Sequence, residues 1–132
     1  MSLTSDIREF HEKFGMEYDG LPRKLSPELL EFRVNFIKEE LLEYLQSHTL
    51  HDQLDALVDL TYVILGTAYL QGFPFEEAWS RVHAANMKKV KGPSERSDKF
   101  DVIKPEGWEP PDLTDLCGEQ MELFNDNNTG RS

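Results

Sequence analysis

Glu39-Glu40-Leu41-Leu42-Glu43, answered downstream by Asp55-Ala56-Leu57-Val58-Asp59, is the stretch from which the rest of the chain can be read. On a helix the three glutamates fall within about a quarter of the circumference, with Phe32 and Phe36 on the same face one to two turns earlier. Like charges crowded beside aromatic rings repel, which a helix serving only to fold has no reason to carry. Asp52, Asp55 and Asp59 share one face of the following helix. Two acidic faces on consecutive helices can meet, and a hard divalent cation is then their natural counter-charge.

The glutamate helix has a clean start. Ser26 is its N-cap, Pro27 its first residue, and Glu28 meets the positive end of the dipole. Leu30, Val34, Ile37, Leu41 and Leu45 predict its core stripe, and Leu29, Phe32 and Phe36 a second apolar strip on the carboxylate side. After a connection at 46–50, a third helix is expected from about His51 to Leu70. Leu54, Leu57, Val58, Thr61, Ile64, Leu65 and Ala68, extended by Leu60 and Val63, predict a central helix buried nearly all round.

Upstream, Ser5 is the expected N-cap of a first helix over about 6–15, striped by Ile7, Phe10 and Phe14 and ended by Gly15. Downstream, Gly72 and Pro74 break the chain. A fourth helix is predicted from about Phe75 to Lys89, with Ala78, Val82 and Ala85 inward and Trp79, His83, Asn86 and Lys89 on another face. From Lys91 onward Gly92, Pro93, Pro105, Gly107, Pro110 and Pro111 predict an extended segment that Trp108 can pin. Leu113, Leu116, Met121 and Phe124 suit a short amphipathic helix over 113–124, and the residues from Asn125 suit disorder.

The chain of 132 residues fits one domain. A net charge of −11 does not suit nucleic acid, whose binding runs on Lys and Arg against phosphate. Cys117 alone leaves no internal pair for a disulfide and fits a reducing compartment. No apolar run approaches the ~20 residues of a membrane span, and Met1-Ser2-Leu3-Thr4-Ser5-Asp6 is no signal peptide. The expectation is a cytoplasmic location (a host's cytoplasm if the gene is a phage's), with no membrane and no nucleic-acid partner.

With these helices in place the chain resembles the MazG-like all-α nucleoside triphosphate pyrophosphohydrolases, relatives of phosphoribosyl-ATP pyrophosphohydrolase and the all-α dUTPases. Their pattern is E-E-x-x-E followed by E-x-x-D on the next helix. Glu39, Glu40 and Glu43 match the first part, and Asp59, followed by Leu60-Thr61-Tyr62-Val63, matches the last aspartate. The second-helix glutamate falls at Ala56 and is missing. Asp55 is the expected substitute, with Asp52 in reserve. Val82-His83-Ala84-Ala85-Asn86-Met87-Lys88-Lys89, Lys91-Gly92-Pro93, the segment from Lys104 to Leu113, and Ser5 to Gly15 resemble small standalone members, so the likeness covers roughly residues 5–113.

The resemblance implies an all-α, four-helix MazG-like bundle with an irregular C-terminal extension. The domain would occupy residues 1–113, followed by an acidic, partly disordered tail at 114–132. It implies a homodimer or homotetramer with sites partly shared between protomers. The implied reaction is nucleoside triphosphate plus water giving the monophosphate and pyrophosphate. Mg²⁺, with Mn²⁺ as a substitute, would be held by Glu40, Glu43, Asp55 and Asp59. Glu39 would orient or deprotonate the water, and Asn86 and Lys89 would contact phosphates.

Pocket walls drawn from Phe10, His11, Phe14, Leu29, Phe32 and the region of Trp79 would suit a two-ring base, and acids could accept from guanine's N–H groups. That puts dGTP or GTP ahead of dUTP, with phosphoribosyl-ATP as a further alternative. A reading of another class is a non-enzymatic helical metal-binding or adaptor module, although the chain lacks an EF-hand loop. Plainer readings stand beside each candidate: a solvated acidic face, a polar helix end at Asn86 and Lys89, and packing or surface roles for His11, His48, His51, His83, Trp79 and Trp108. Arg33 lies near the acids in sequence and is given no role.

Overall fold

The computed structural model describes residues 2–118. These fall into two compact units, one ending at Phe75 and the other beginning at Glu76.

The first unit holds α1 (Leu3–Lys13), α2 (Pro27–Gln46) and α3 (Leu50–Leu70). α1 begins earlier than expected. Its N-cap is Ser2, whose Oγ accepts from the Ser5 amide at 3.2 Å, while Ser5 Oγ accepts from the Ser2 amide at 3.0 Å. Ser5, the predicted cap, is thus the third-position half of a reciprocal capping box. Gly15, at φ 71°, turns the chain away after Phe14. α2 starts as the sequence predicts, with Ser26 Oγ accepting from the Leu29 amide. α3 starts one residue early, capped by Thr49 on the Asp52 amide. The short Ser47–Thr49 link makes α2 and α3 an antiparallel hairpin, and α1 packs on α3.

The face of α2 turned to α3 is not the one its apolar periodicity predicts. Leu30, Val34, Leu41 and Leu45 are exposed, Leu45 at 76%, and Ile37 is only half-buried. The buried residues are Arg33 and Glu40, seven apart and therefore on one face. α3 is not buried all round either. Ala56, Val63, Leu65, Gly66, Ala68 and Leu70 are covered, whereas Leu54, Leu57, Val58 and Ile64 face outward. The physical reason is supply: within this unit only α1 and α2 are available to cover α3, and α2 meets it along a polar seam.

That seam is built around the Arg33 guanidinium. Its Nε donates to Thr67 Oγ1 at 3.0 Å and its Nη2 to the Val63 carbonyl at 2.7 Å, which also accepts from Thr67 Oγ1. A buried charge held by neutral acceptors needs room to lie flat on the helix. Gly66 supplies it, since a Cβ there would sit 2.8 Å from Nη2 and 3.4 Å from His11 Cε1. His11 itself is buried, its Nδ1 paired with the Ile7 carbonyl and its ring 4.6 Å from that of Tyr69. It therefore serves α1–α3 packing rather than lining a pocket wall.

The second unit contains α4 (Phe75–Asn86) from its second residue on, the two-residue strands β1 (Val90–Lys91) and β2 (Val102–Ile103), and a 3₁₀ turn at Thr114–Leu116. α4 stops at Asn86, short of the predicted Lys89, as the Lys88 and Lys89 amides turn back onto the carbonyls of Ala85 and Asn86. Ala85 is buried, Ala78 half-buried and Val82 more open. Trp108 does pin the extended segment, its Nε1 donating to the Ala85 carbonyl at 2.7 Å. Arg81 forks onto both carboxylate oxygens of Asp115 and also reaches Glu77 and the Asp112 carbonyl. The boundary placed after Leu113 thus runs between two residues that one arginine holds. Of the helix expected over 113–124, the described part is the single 3₁₀ turn, and the rest lies outside the described residues, as does the segment from Asn125. Among the described residues no single helix is long and apolar enough to cross a membrane.

Gly66 gives a test with a sign. Helix propensity alone favours Gly66→Ala by roughly 1 kcal/mol, whereas the contact with Arg33 predicts a loss of about 1–3 kcal/mol. Urea denaturation should show the loss, and the loss should shrink in an Arg33→Met background.

Candidate active site

α2 and α3 bring Glu40, Glu43 and Asp59 together, with one carboxylate oxygen from each within 4.8 Å of the others. Glu40 and Glu43 are one turn apart on α2, and the antiparallel hairpin sets Asp59 opposite them. Glu40 is only 8% exposed, Asp59 is half-buried and Glu43 is open to solvent. The seam that buries Arg33 buries Glu40 two turns further along.

Electrostatics marks these carboxylates as strained. Burial first, then the charges of Glu43, Asp59 and Glu39, holds the Glu40 carboxyl above its usual range. Burial, then Asp55 and Glu43, does the same to Asp59. Among buried side-chain oxygens and nitrogens of the described residues, Glu40 Oε2 alone has no hydrogen-bond partner. A buried acceptor without a donor costs about 1–3 kcal/mol. Three converging carboxylate oxygens, one of them orphaned, suit a hard oxygen-seeking divalent cation.

The other candidates fall around or apart from this cluster. Asp55 is exposed, near enough for its charge to raise Asp59, but outside the group of three. It lines a hollow of about 310 Å³ with Glu43, Gln46, Ser47, His48, Asp52 and Ala56. Ala56 is the position of the missing glutamate, so the short side chain leaves this polar space beside the cluster. Asp52 sits farther along that hollow, paired with His51 at 3.4 Å. Glu39 is exposed on α2 and does not join the three. Asn86 ends α4 and is exposed, while Lys89 is half-buried with its Nζ 5.3 Å from the Trp108 ring centre. Both belong to the second unit. Sequence reasoning gave no role to Arg33, whose signal was its place on the face of Glu40 together with a glycine inside α3.

A carboxyl held above its ordinary value binds its proton more tightly in the folded chain, so the stability it contributes is complete at low pH and is lost as pH rises through the raised value. In EDTA, Glu40→Gln should melt with wild type well below the ordinary value of 4.5. It should then melt progressively higher than wild type as pH rises, by about 3–5 °C for each kcal/mol. It should also lose any rise in melting temperature on adding Mg²⁺. Calorimetry across pH, with and without the ion, reads both effects.

A family model described as phosphoribosyl-ATP pyrophosphohydrolase matches residues 7–86, more than half of the chain and all three acids of the cluster. Comparison with curated proteins gives no match.

Proposed function

The chain belongs to the phosphoribosyl-ATP pyrophosphohydrolase family, which implies a pyrophosphohydrolase, and from that premise we propose a divalent-metal-dependent enzyme acting on a nucleoside triphosphate. The observation that carries the metal is the buried Glu40 carboxylate, one oxygen of it without a partner, converging with Glu43 and Asp59. These three residues would hold the ion, with Asp55 one turn from Asp59 at the edge of the site. Bound there, Mg²⁺ or Mn²⁺ supplies Lewis-acid neutralisation of phosphate oxygens.

The remaining work falls to the chain. Glu39, exposed beside the cluster, accepts a proton from the water that attacks the α-phosphorus. The bond from that phosphorus to the bridging oxygen breaks, and pyrophosphate leaves with the electron pair. Asn86 and Lys89 hold phosphate oxygens, Lys89 as a point charge.

Our preferred substrate is a purine nucleoside triphosphate, dGTP or GTP. Its support is flat surface on the site's own helix, where Phe32 is exposed and its ring centre lies 5.9 Å from that of Phe36. Phosphoribosyl-ATP is the second reading, favoured by the description of the matching family. A homodimer, or a homotetramer built from it, is also proposed. Its support is the row of exposed apolar side chains on one hairpin, Leu30, Val34, Leu41, Leu54, Leu57 and Val58.

Pyrophosphate release should be followed with Mg²⁺ across all eight common NTPs and dNTPs, dUTP and phosphoribosyl-ATP. The expected outcome is guanine nucleotides first and no release in EDTA. A faster rate with phosphoribosyl-ATP or dUTP would replace the guanine assignment, and no release from any of them would end the hydrolase reading. Glu43→Gln should lower turnover by at least ~10²-fold with the helices intact by circular dichroism, since it removes a charged ligand. Gel filtration should give at least twice the chain's 15.3 kDa.

A further inference from the structure

One stretch of the second unit gathers positive charge in an otherwise acidic chain. Between Lys88 and Lys104 stand six cations against Glu95, Asp98 and Asp101, whereas the whole chain carries −11. One of the six, Arg96, is neutralised by a forked pair with Asp101. Lys89 and Lys104 have no carboxylate within ion-pair distance among the described residues.

Those two lysines meet on one ring. Lys89 Nζ lies 5.3 Å and Lys104 Nζ 5.1 Å from the centre of Trp108. The backbone arranges it. β1 pairs with β2 so that Val90 faces Ile103, and the register places Lys89 and Lys104 as the next opposed pair at the open end of the hairpin. Like charges directly opposite each other destabilise a strand pair. Trp108 cannot swing away, because its Nε1 is tied to the carbonyl of the buried Ala85. Attraction to the ring face holds each ammonium but leaves its charge unneutralised. A cation at the end of α4 is favoured by the helix dipole, which accounts for Lys89. It does not account for a second cation brought opposite from another strand.

We propose that Lys89, Lys104 and the Trp108 ring they share form a clamp for a condensed phosphate chain, with Lys104 as a phosphate-binding residue beside Lys89. The ligand class is a di- or triphosphate, free or as part of a nucleotide. Two fixed ammonium groups can each take a different phosphate, so a single phosphate should bind far more weakly. This clamp rests on the proposed substrate class, a triphosphate, but it can be tested without turnover.

The test is calorimetric titration of the full chain with inorganic tripolyphosphate, pyrophosphate and orthophosphate in EDTA. Trp108 fluorescence in a Trp79→Phe background gives a local readout. Expected are binding in the order tripolyphosphate, pyrophosphate, orthophosphate, a loss of about tenfold or more in Lys104→Gln, and retention in Lys104→Arg. Unchanged circular dichroism and Trp108 emission without ligand would show that the hairpin of the variant is intact. No tripolyphosphate binding by the wild type, or equal affinity in Lys104→Gln, would overturn the clamp. The two proposals fail separately. Pyrophosphate release with Mg²⁺ but no effect of Lys104→Gln on binding sinks the clamp alone, and tripolyphosphate binding without release from any nucleotide sinks the hydrolase reading alone.

Discussion

A carboxylate taken out of water between two helices must be met by something, and the design of the first unit follows from that demand. Glu40 lies in the α2–α3 seam with one oxygen orphaned and with Glu43 and Asp59 converging on it. Alone, such an arrangement costs stability twice, through desolvation and through like-charge repulsion. The cost is tolerable where a divalent ion turns the same geometry into a strong binding site. The short Ser47–Thr49 link and the cap at Thr49 fix the register that sets Asp59 against Glu40 and Glu43. The site therefore depends on two helices locked in register, not on a loop.

Further along the same seam the chain buries the opposite charge. Arg33 shares the face of Glu40 but takes neutral acceptors, Thr67 and the Val63 carbonyl, instead of a carboxylate. Had it paired with Glu40, the acid would have been quenched as an ion pair and its bare oxygen covered. Seven residues of helix, roughly 10 Å of rise, keep them apart, so Arg33 tethers α2 to α3 while the acids stay available.

The helices were legible from caps and breakers. Ser26-Pro27 opened α2 as read, while Gly15 and Gly72, both with positive φ, marked the ends of α1 and α3. Ser5 was misread because a capping box has a hydroxyl at both of its ends, and the true cap, Ser2, lies at the very start of the chain. Of the acids named from E-E-x-x-E and the helix that follows it, Glu40, Glu43 and Asp59 come together, while Glu39 and Asp55 stand outside the three. What could not be read was which face of α2 turns inward. Apolar periodicity assigns the greasiest stripe to the interior, and here that stripe is open in the single chain while the covered face carries Arg33 and Glu40. Lys104 was equally hidden, since its link to Lys89 arises from the register of a hairpin of two-residue strands that no local pattern announces.

The fit of Arg33 against Gly66 reaches beyond this molecule. A guanidinium at one position and a missing side chain at the other are a single steric solution, because even a methyl group at 66 would meet Nη2 at 2.8 Å. A side chain larger than glycine at 66 requires the guanidinium at 33 to shift or to be lost. In an alignment of relatives the two should change as a linked pair, glycine accompanying arginine and a larger residue at 66 appearing only where 33 has shortened. Such a covariation would leave a record of the α2–α3 register in sequences that have lost every recognisable acid of the site.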